Sequence, residues 1–462
     1  MFPKASYINR RNRLRKEIGS GLLLFPGNRE SAFNYPANTY SFRQDSSFSY
    51  FFGLDHPDFV GVMDIESGID YIFGDNVDLD DIIWMGPQPT VIEQAALVGV
   101  MNTASLAELE GFLKTALNKG RKIHFLPPYR GETMIQLEHW LGIHHTLLEQ
   151  SVSLDLIKAV VKLRSIKDEL EIADIESMID VAYKMHTTAM KMAYPGIKEQ
   201  EISGTIEGIS LAYGGPVSFP VILSVNGQVL HNHSHNNYLK QGQLLVVDAG
   251  AESSLHYASD ITRTCPVGGK FSQRQKEVYE IVLAANMNAI ATTKPGLPYR
   301  DSHYVACETI TQGLKEIGLM KGDVKEAVAS GAHAMFLPHG LGHMLGMDVH
   351  DMEGLGQIHV GYDDEFRPSE QFGTAFLRMG RRVQPGMVIT NEPGIYFIPE
   401  LIDLWRSQGK FTDFINYDKL ETYKDFGGVR IEDNILVTET GCRVLGKPIP
   451  KTVADVEAIM AK

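Results

Sequence analysis

LLVVDAGAESSLHYASDITRT (244–264) holds the reading on which the fold turns. LLVV is a short apolar run closed by Asp248, Ala249 and Gly250, so it reads as a buried strand that delivers an acid to a sheet edge. A second strand-like run, ITRT, follows Asp260, twelve residues after Asp248. Folded as a hairpin, the two runs set the carboxylates side by side. Two like charges that close are costly unless a cation neutralises them. Taken alone, either acid would be an ordinary turn-capping aspartate.

Three further segments supply the same chemistry. LPHGLGHMLGMDVHD (337–351) brings His339, His343 and His350 at spacings of four and seven. His339 and His343 would share a face if helical, but the interleaved glycines argue for a loop. The glycine spacing is not a dinucleotide fingerprint, and a histidine sits in its middle. VQPGMVITNEPGIYF (383–397) places Glu392 after a strand and before Pro-Gly, and GGVRIEDNILVT (427–438) places Glu432 in an alternating strand. There Arg430 shares its face, so a simple ion pair between the two competes with a functional role. Asp248, Asp260, His343, Glu392 and Glu432 make four carboxylates and one imidazole. Four negative charges balance two divalent cations, and an oxygen-rich set favours hard ions, Mn²⁺ ahead of Zn²⁺. Two ions ~3.5–4 Å apart can share a water and bring its pKa near neutrality.

The rest of the chain sets the frame. Its 462 residues suggest two or three domains at ~150 residues each. With 44% hydrophobic and 22% charged residues it is an ordinary globular composition. A net charge of −14 excludes a general nucleic-acid binder. No apolar run reaches the ~20 residues of a membrane helix, and the N-terminus has no apolar signal core. Cys265, Cys307 and Cys442 are too scattered for a disulfide framework or a CxxC site, so the expected setting is a reducing cytoplasm. The first part mixes short strands (21–28, and two around Glu-Ser-Gly within 58–75) with helical patterns (90–102, 105–120), an α/β domain over 1–155. From about Ser151 the texture turns helical, opening a second domain over 156–462. A helix stopping at Pro195-Gly196 and followed by another helix is echoed at Pro295-Gly296, which suggests a duplicated unit.

The ordered set DAG, SDITRT, PHGLGHMLGMDVHD, NEPGIYF and GGVRIED resembles the pita-bread metallopeptidases, family M24B, which include Xaa-Pro dipeptidase, aminopeptidase P and methionine aminopeptidase. FRQDSSFSYFFGL (42–54) is similar to the N-terminal domain signature of the first two, and LRMGRRVQPGMVITNEPGIYF (377–397) is most similar to the dipeptidase. The resemblance implies an α/β (α+β) protein with an N-terminal α/β domain and a C-terminal pita-bread catalytic domain. It implies two divalent ions, Mn²⁺ favoured with Co²⁺ or Zn²⁺ accepted, held by Asp248, Asp260, His343, Glu392 and Glu432. His231, His339 and His350 would bind substrate and stabilise the tetrahedral intermediate, with His339 on the oxyanion. Glu392 would carry the proton to the leaving nitrogen, and Arg430 would sit beside substrate. Arg378 would hold the free carboxylate of a dipeptide. The substrates implied are small peptides with proline at the second position, cleaved by a dipeptidase or, alternatively, by an aminopeptidase acting on longer peptides. A metal-free hydrolase or binding module is the rival of another class. The family suggests a homo-oligomer, dimer or tetramer. Two positions depart from its pattern: Asn391 precedes Glu392 where valine is usual, and Phe219 stands in place of a tyrosine near the metal aspartates. His233 and His235 read as loop residues.

Overall fold

The computed structural model describes residues 1–461. It divides into two compact units, Met1–Arg164 with Gly354–His359, and Ser165–Glu353 with the chain from Val360 onward.

In the first unit, helix α1 (Lys4–Glu17) precedes a mixed sheet of β1 (Leu22–Pro26), β2 (Val60–Asp64), β3 (Asp70–Phe73), β4 (Asn102–Ala104) and β5 (Ile123–His124), in the order β4-β3-β2-β1-β5. Neighbours β1–β2 and β2–β3 run antiparallel, and β1–β5 and β3–β4 run parallel. Leu22, Leu24, Val60, Val62 and Phe73 of the sheet bury against Leu109 and Leu113 of helix α2 (Leu106–Asn118) and against Trp140. The helical pattern of 90–102 is spent early: the helix is Val91–Leu97, and Asn102–Ala104 becomes the edge strand.

The helix-compatible stretch after Ser151 is broken. Helix α3 (Leu154–Arg164) ends, and α4 (Glu169–Met192) begins behind Asp168, whose carboxylate accepts the N–H groups of Leu170 and Glu171. Glu171 returns the contact to the Asp168 N–H, a capping box. The buried stripe of α3, Leu156, Ile157, Val160 and Leu163, is used within the first unit, where α3 packs on α1. The junction therefore falls at Arg164/Ser165 rather than at the expected 155/156.

The second unit repeats itself. Helices α4 and α5 (Glu199–Tyr213) flank Pro195-Gly196, and α6 (Gln273–Thr292) and α7 (Tyr299–Glu316) flank Pro295-Gly296. At the first turn the Gly196 N–H donates to the Leu239 carbonyl and the Leu239 N–H to the Ile197 carbonyl. At the second, Gly296 donates to Val383 and Val383 to Leu297 in the same way. Nine residues on from Leu239 lies Asp248, and nine on from Val383 lies Glu392. Between them Gly242 and Gly386 hold matching left-handed turns, φ 83° and 88°. In the first half β6 (Ile222–Val225), β7 (Leu244–Ala249) and β8 (Ile261–Pro266) form an antiparallel sheet with Val225 opposite Leu245. In the second, Met344 bridges Ile389, the counterpart of Leu245, so the histidine-rich loop takes the place of β6. Strands β9 (Val388–Asn391), β10 (Gly394–Tyr396), β11 (Gly428–Arg430), β12 (Asp433–Val437) and β13 (Cys442–Val444) complete it in the orders β9-β12-β13 and β10-β11. Asp260 and Glu432 each stand one residue ahead of a return strand, β8 and β12.

The paired glycines allow a measured contrast. A Cβ at Gly242 meets nothing, whereas at Gly386 it would lie 2.7 Å from the Ile166 side chain. Gly242→Ala should cost only the left-handed backbone penalty of ~1 kcal/mol. Gly386→Ala should lower Tm further; equal melting shifts would remove the steric argument.

Candidate metal centre and substrate cavity

Asp248 lies within β7, and the other candidate ligands stand outside the strands, where backbone bonds hold them. The Asp260 N–H donates to the Asn434 side-chain oxygen at 3.0 Å, and the Asn434 amide returns a bond to the Asp260 carbonyl at 2.6 Å. The Glu432 N–H donates to the Thr262 carbonyl of β8. Buried Arg263 donates to the Glu432 carbonyl at 2.6 Å and to Asp433 at 2.7 Å, fixing the chain between β11 and β12. The Glu392 N–H is bound by the Leu341 carbonyl, and the His343 N–H by the Thr390 hydroxyl. These anchors engage the ligands' own backbone groups, which leaves carboxylate oxygens and the His343 Nε2 free to converge.

Converge they do. His343 Nε2 lies 3.3 Å from Asp260 and 3.6 Å from Glu392. Asp260, His343 and Glu432 each offer a ligand atom, all within 4.8 Å of one another. His343 Nδ1 faces the Met344 carbonyl at 3.0 Å, so the proton sits there and the Nε2 lone pair points at the acids. Asp248 Oδ1 and Glu432 Oε1 are buried and accept no hydrogen bond. Burial, then neighbouring carboxylates, hold Asp260 and Glu432 well above the usual carboxylate range, and burial lifts Glu392 to about 7. A nest of buried, mutually repelling acids with orphaned oxygens and a lone pair turned toward them fits divalent cations and little else.

Arg430 corrects one expectation. It does not pair with Glu432; its Nη2 donates to Asp248 at 2.8 Å. Its Nε donates to the Thr262 hydroxyl, which in turn donates to Glu432 Oε2 at 2.7 Å. Arg430 ends β11 while Glu432 lies past the break before β12, so strand alternation does not carry across. Its one positive charge against four carboxylates leaves the cluster at −3, and two divalent ions would leave it one positive charge, matched to one anionic group.

The cavity, about 580 Å³, is lined by all five of these residues together with His231, His339, His350, Arg378 and Arg430. The histidine loop is irregular, as its glycines require. His339 spends both nitrogens: Nδ1–H donates to the Gly340 carbonyl and Nε2 accepts from the Tyr396 hydroxyl at 3.0 Å. That hydroxyl also accepts from Arg430 at 2.8 Å. Burial pushes His339 down to about 3, so it is neutral. His350 packs edge-on against His343 and bonds through Nδ1 to Glu353, which also accepts from Arg378 Nε at 3.2 Å. The His350 bond and the Arg378 charge hold Glu353 down at about 2.

Tyr396, Thr262 and Glu353 are absent from the sequence reading; their types are too common to signal alone, and only the fold places them. Phe219 lines the cavity and gives it an apolar stretch of wall. Asn391 turns away from it: its amide donates to the Asn286 carbonyl and Asn286 donates back to Asn391, both at 3.2 Å, so the departure is absorbed by α6. His233 and His235 lie in the loop between β6 and β7, with His233 on the cavity wall.

If protons occupy these acids in the metal-free chain, its stability has a definite sign. Glu392 binds a proton more tightly folded, near 7, than unfolded, near 4.5. Stability is therefore greatest below 4.5 and is lost as pH rises toward 7. Metal-free protein should lose about 2–4 °C of Tm from this group between pH 5 and pH 8 relative to metal-loaded protein. Added Mn²⁺ should raise Tm more at pH 8 than at pH 5; a pH-independent metal shift would contradict it.

The model for metallopeptidase family M24 matches residues 173–439, and that for the aminopeptidase P N-terminal domain matches residues 7–124. A probable Xaa-Pro aminopeptidase of Fusarium vanettenii is 33% identical over 425 residues, covering 91% of this chain and 88% of that protein. The Xaa-Pro dipeptidase of Homo sapiens is 31% identical over 433 residues, covering 91% and 84%. The structure of Pseudomonas aeruginosa aminopeptidase PepP superposes with TM-score 0.82 at 28% identity, covering 99% of this chain and 98% of that one. A glutamate-to-alanine variant of Escherichia coli aminopeptidase P in complex with substrate gives the same figures, TM-score 0.82, 28% identity, and 99% and 98% coverage. The expected α/β N-terminal domain followed by a pita-bread domain is the architecture these structures share. The family-model match over the second unit and the two relatives that span both units lead to one conclusion: the chain belongs to metallopeptidase family M24.

Proposed function

We propose that this protein hydrolyses Xaa-Pro peptide bonds with two divalent ions, Mn²⁺ favoured, and that its preferred substrates are Xaa-Pro dipeptides. The relatives' names carry the Xaa-Pro class, and Arg378 on the cavity wall carries the dipeptide preference. Asp248, Asp260, His343, Glu392 and Glu432 would hold the ions, which supply Lewis-acid polarisation of the carbonyl and an acidified water.

The chain's own groups then bind and move protons. Arg430 pairs with Asp248 and holds the Tyr396 hydroxyl, whose proton goes to His339. His339 thus orients Tyr396 as an acceptor rather than reaching an oxyanion with a free N–H. To donate there it would have to release Gly340 or take a second proton. The Arg430 guanidinium on the cavity wall supplies a positive charge for a developing negative one. Glu392, a carboxylate 3.6 Å from His343 on the cavity wall, would carry a proton to the leaving proline nitrogen. His231 lines the cavity and His350 stands against His343, both placed to contact substrate.

One observation favours the second reading, an aminopeptidase on longer peptides: Glu353 already occupies Arg378 Nε. Its two terminal nitrogens make no bond to Glu353, and these are the atoms a substrate carboxylate would take. The deciding experiment compares a Xaa-Pro dipeptide with a Xaa-Pro-Yaa tripeptide in Mn²⁺. The dipeptide should have the higher kcat/KM; a faster tripeptide overturns the preference and leaves the metal chemistry standing. A cytoplasmic, homo-oligomeric enzyme completes the proposal, supported by three free cysteines and by the family.

A further inference from the structure

Among the described residues a second group of metal-competent side chains is buried within the second unit. His303 and Cys307 lie four apart on α7, and His333 is on the short turn Ala332–Met335. All three side chains are fully buried. One donor atom from each lies within 4.8 Å of the others. None of the three belongs to the cavity lining.

The geometry has the dimensions of a thiolate–imidazole site. Cys307 Sγ lies 3.5 Å from His303 Nε2. Bonds of ~2.3 Å to sulfur and ~2.05 Å to nitrogen at a tetrahedral angle put those atoms about 3.6 Å apart. A histidine and a second ligand at four-residue spacing on a helix is also how paired helical ligands reach one ion. Packing alone explains only part of this. A buried cysteine can act as a small hydrophobe and donate a weak S–H bond to His303. It leaves His333 unexplained: neither of its ring nitrogens makes a hydrogen bond, although a nearby carbonyl, that of Val328, favours the charged ring slightly. Thr311, the next residue on the same stripe of α7, has a buried hydroxyl with no partner either. Polar atoms buried without partners are costly, and the donor atoms of His303, Cys307 and His333 lie close enough to share one partner. Burial drives His303 down to about 3 and His333 to about 4, so both rings are neutral and their lone pairs are open.

We propose that His303, Cys307 and His333 form a second metal site, separate from the carboxylate centre, that takes a soft, thiolate-seeking cation, Zn²⁺ or Cu⁺. The ligand types sort the two sites. Thiolate and imidazole select soft ions, whereas the carboxylate cluster selects hard ones. On binding, the thiol of Cys307 releases its proton to solvent and the sulfur becomes an anionic ligand. The ion then ties α7 to the turn Ala332–Met335, which leads into the chain segment carrying His339 and His343. Its role is to hold that segment, not to touch substrate.

The test uses the full-length protein produced in cobalt-supplemented medium, because Co²⁺ on a thiolate gives a near-ultraviolet charge-transfer band that a carboxylate and histidine centre cannot give. The wild type should show the band, and Cys307→Ala should lose it together with one ion per chain while keeping its folded circular dichroism. Cys265→Ala and Cys442→Ala should keep it. Protein loaded with Zn²⁺, or anaerobically with Cu⁺, should hold one ion that Cys307→Ala lacks, and which of them persists in dialysis identifies the native cation. A wild type without the band and without any soft ion beyond the carboxylate centre would overturn the site, leaving a cavity for water. A band that survives Cys307→Ala would overturn it too. Should Cys307→Ala fail to fold, His333→Gln gives the same reading through loss of the ion.

Discussion

Asp260→Asn and His343→Ala should each strip at least one ion per chain and lower kcat/KM by roughly 10²- to 10⁴-fold, the weight of several kcal/mol of metal-borne stabilisation. The carboxamide is a neutral, weaker donor, and His343 is the one imidazole among the carboxylates. The Asp260 variant carries a second signature of opposite sign. Metal-free wild type must bury Asp260 against Asp248 and Glu432, and burial together with Asp248 already resists its ionisation. The asparagine removes that charge, so metal-free Asp260→Asn should melt higher than metal-free wild type even as it loses activity, a trade common at functional sites. Metal analysis, steady-state rates and melting curves on the same preparations check all three. Full activity with two bound ions in either variant would sink the assignment of the centre.

What could be read in the sequence divides along a physical line. Asp248 and Asp260 were legible because a hairpin of period two is local: the strand run, the turn residues and both acids fall within one stretch. The two-strand reading of 58–75 succeeded for the same reason. The echo of Pro-Gly turns was legible as punctuation. Its meaning, the matching bonds of Gly196 and Gly296 to Leu239 and Val383, needed contacts between distant segments. The helix break at Ser165–Asp168 was missed because every residue there tolerates a helix, and the capping aspartate decides only once α3 has spent its apolar face. The ion pair that competes with a functional role for Glu432 is not formed, because alternation does not carry through the break between β11 and β12, which no local signal marks. Tyr396 and Glu353 were invisible because a hydrogen-bond relay is a property of packing. The roles assigned to the matching residues came from the resemblance, and the geometry brings those residues to one cavity.

Arg378→Ala should weaken hydrolysis of a Xaa-Pro dipeptide by roughly 10- to 150-fold in kcat/KM, the weight of a charge-assisted contact of about 1.5–3 kcal/mol. A Xaa-Pro-Yaa tripeptide should scarcely notice, because its carboxylate lies one residue further out. The contact with Glu353 makes the contrast necessary. Losing Arg378 also frees one carboxylate oxygen of a residue that bonds His350, which stands against His343. That disturbance would reach both substrates alike. A second variant separates the two effects. Glu353→Gln keeps the Arg378 guanidinium and removes the negative charge that competes for it. If Arg378 clamps the dipeptide carboxylate, Glu353→Gln should lower KM for the dipeptide or leave it unchanged. If Arg378 serves only to brace Glu353 and His350, both variants should slow both substrates in proportion. Arg378 is about a third exposed and Glu353 nearly half, so the ion pair itself contributes little stability, and Tm should hardly move in either variant. A selective loss on the dipeptide with an unchanged melting point is the outcome that makes Arg378 the specificity determinant; a uniform loss assigns it to the scaffold and favours the longer peptides.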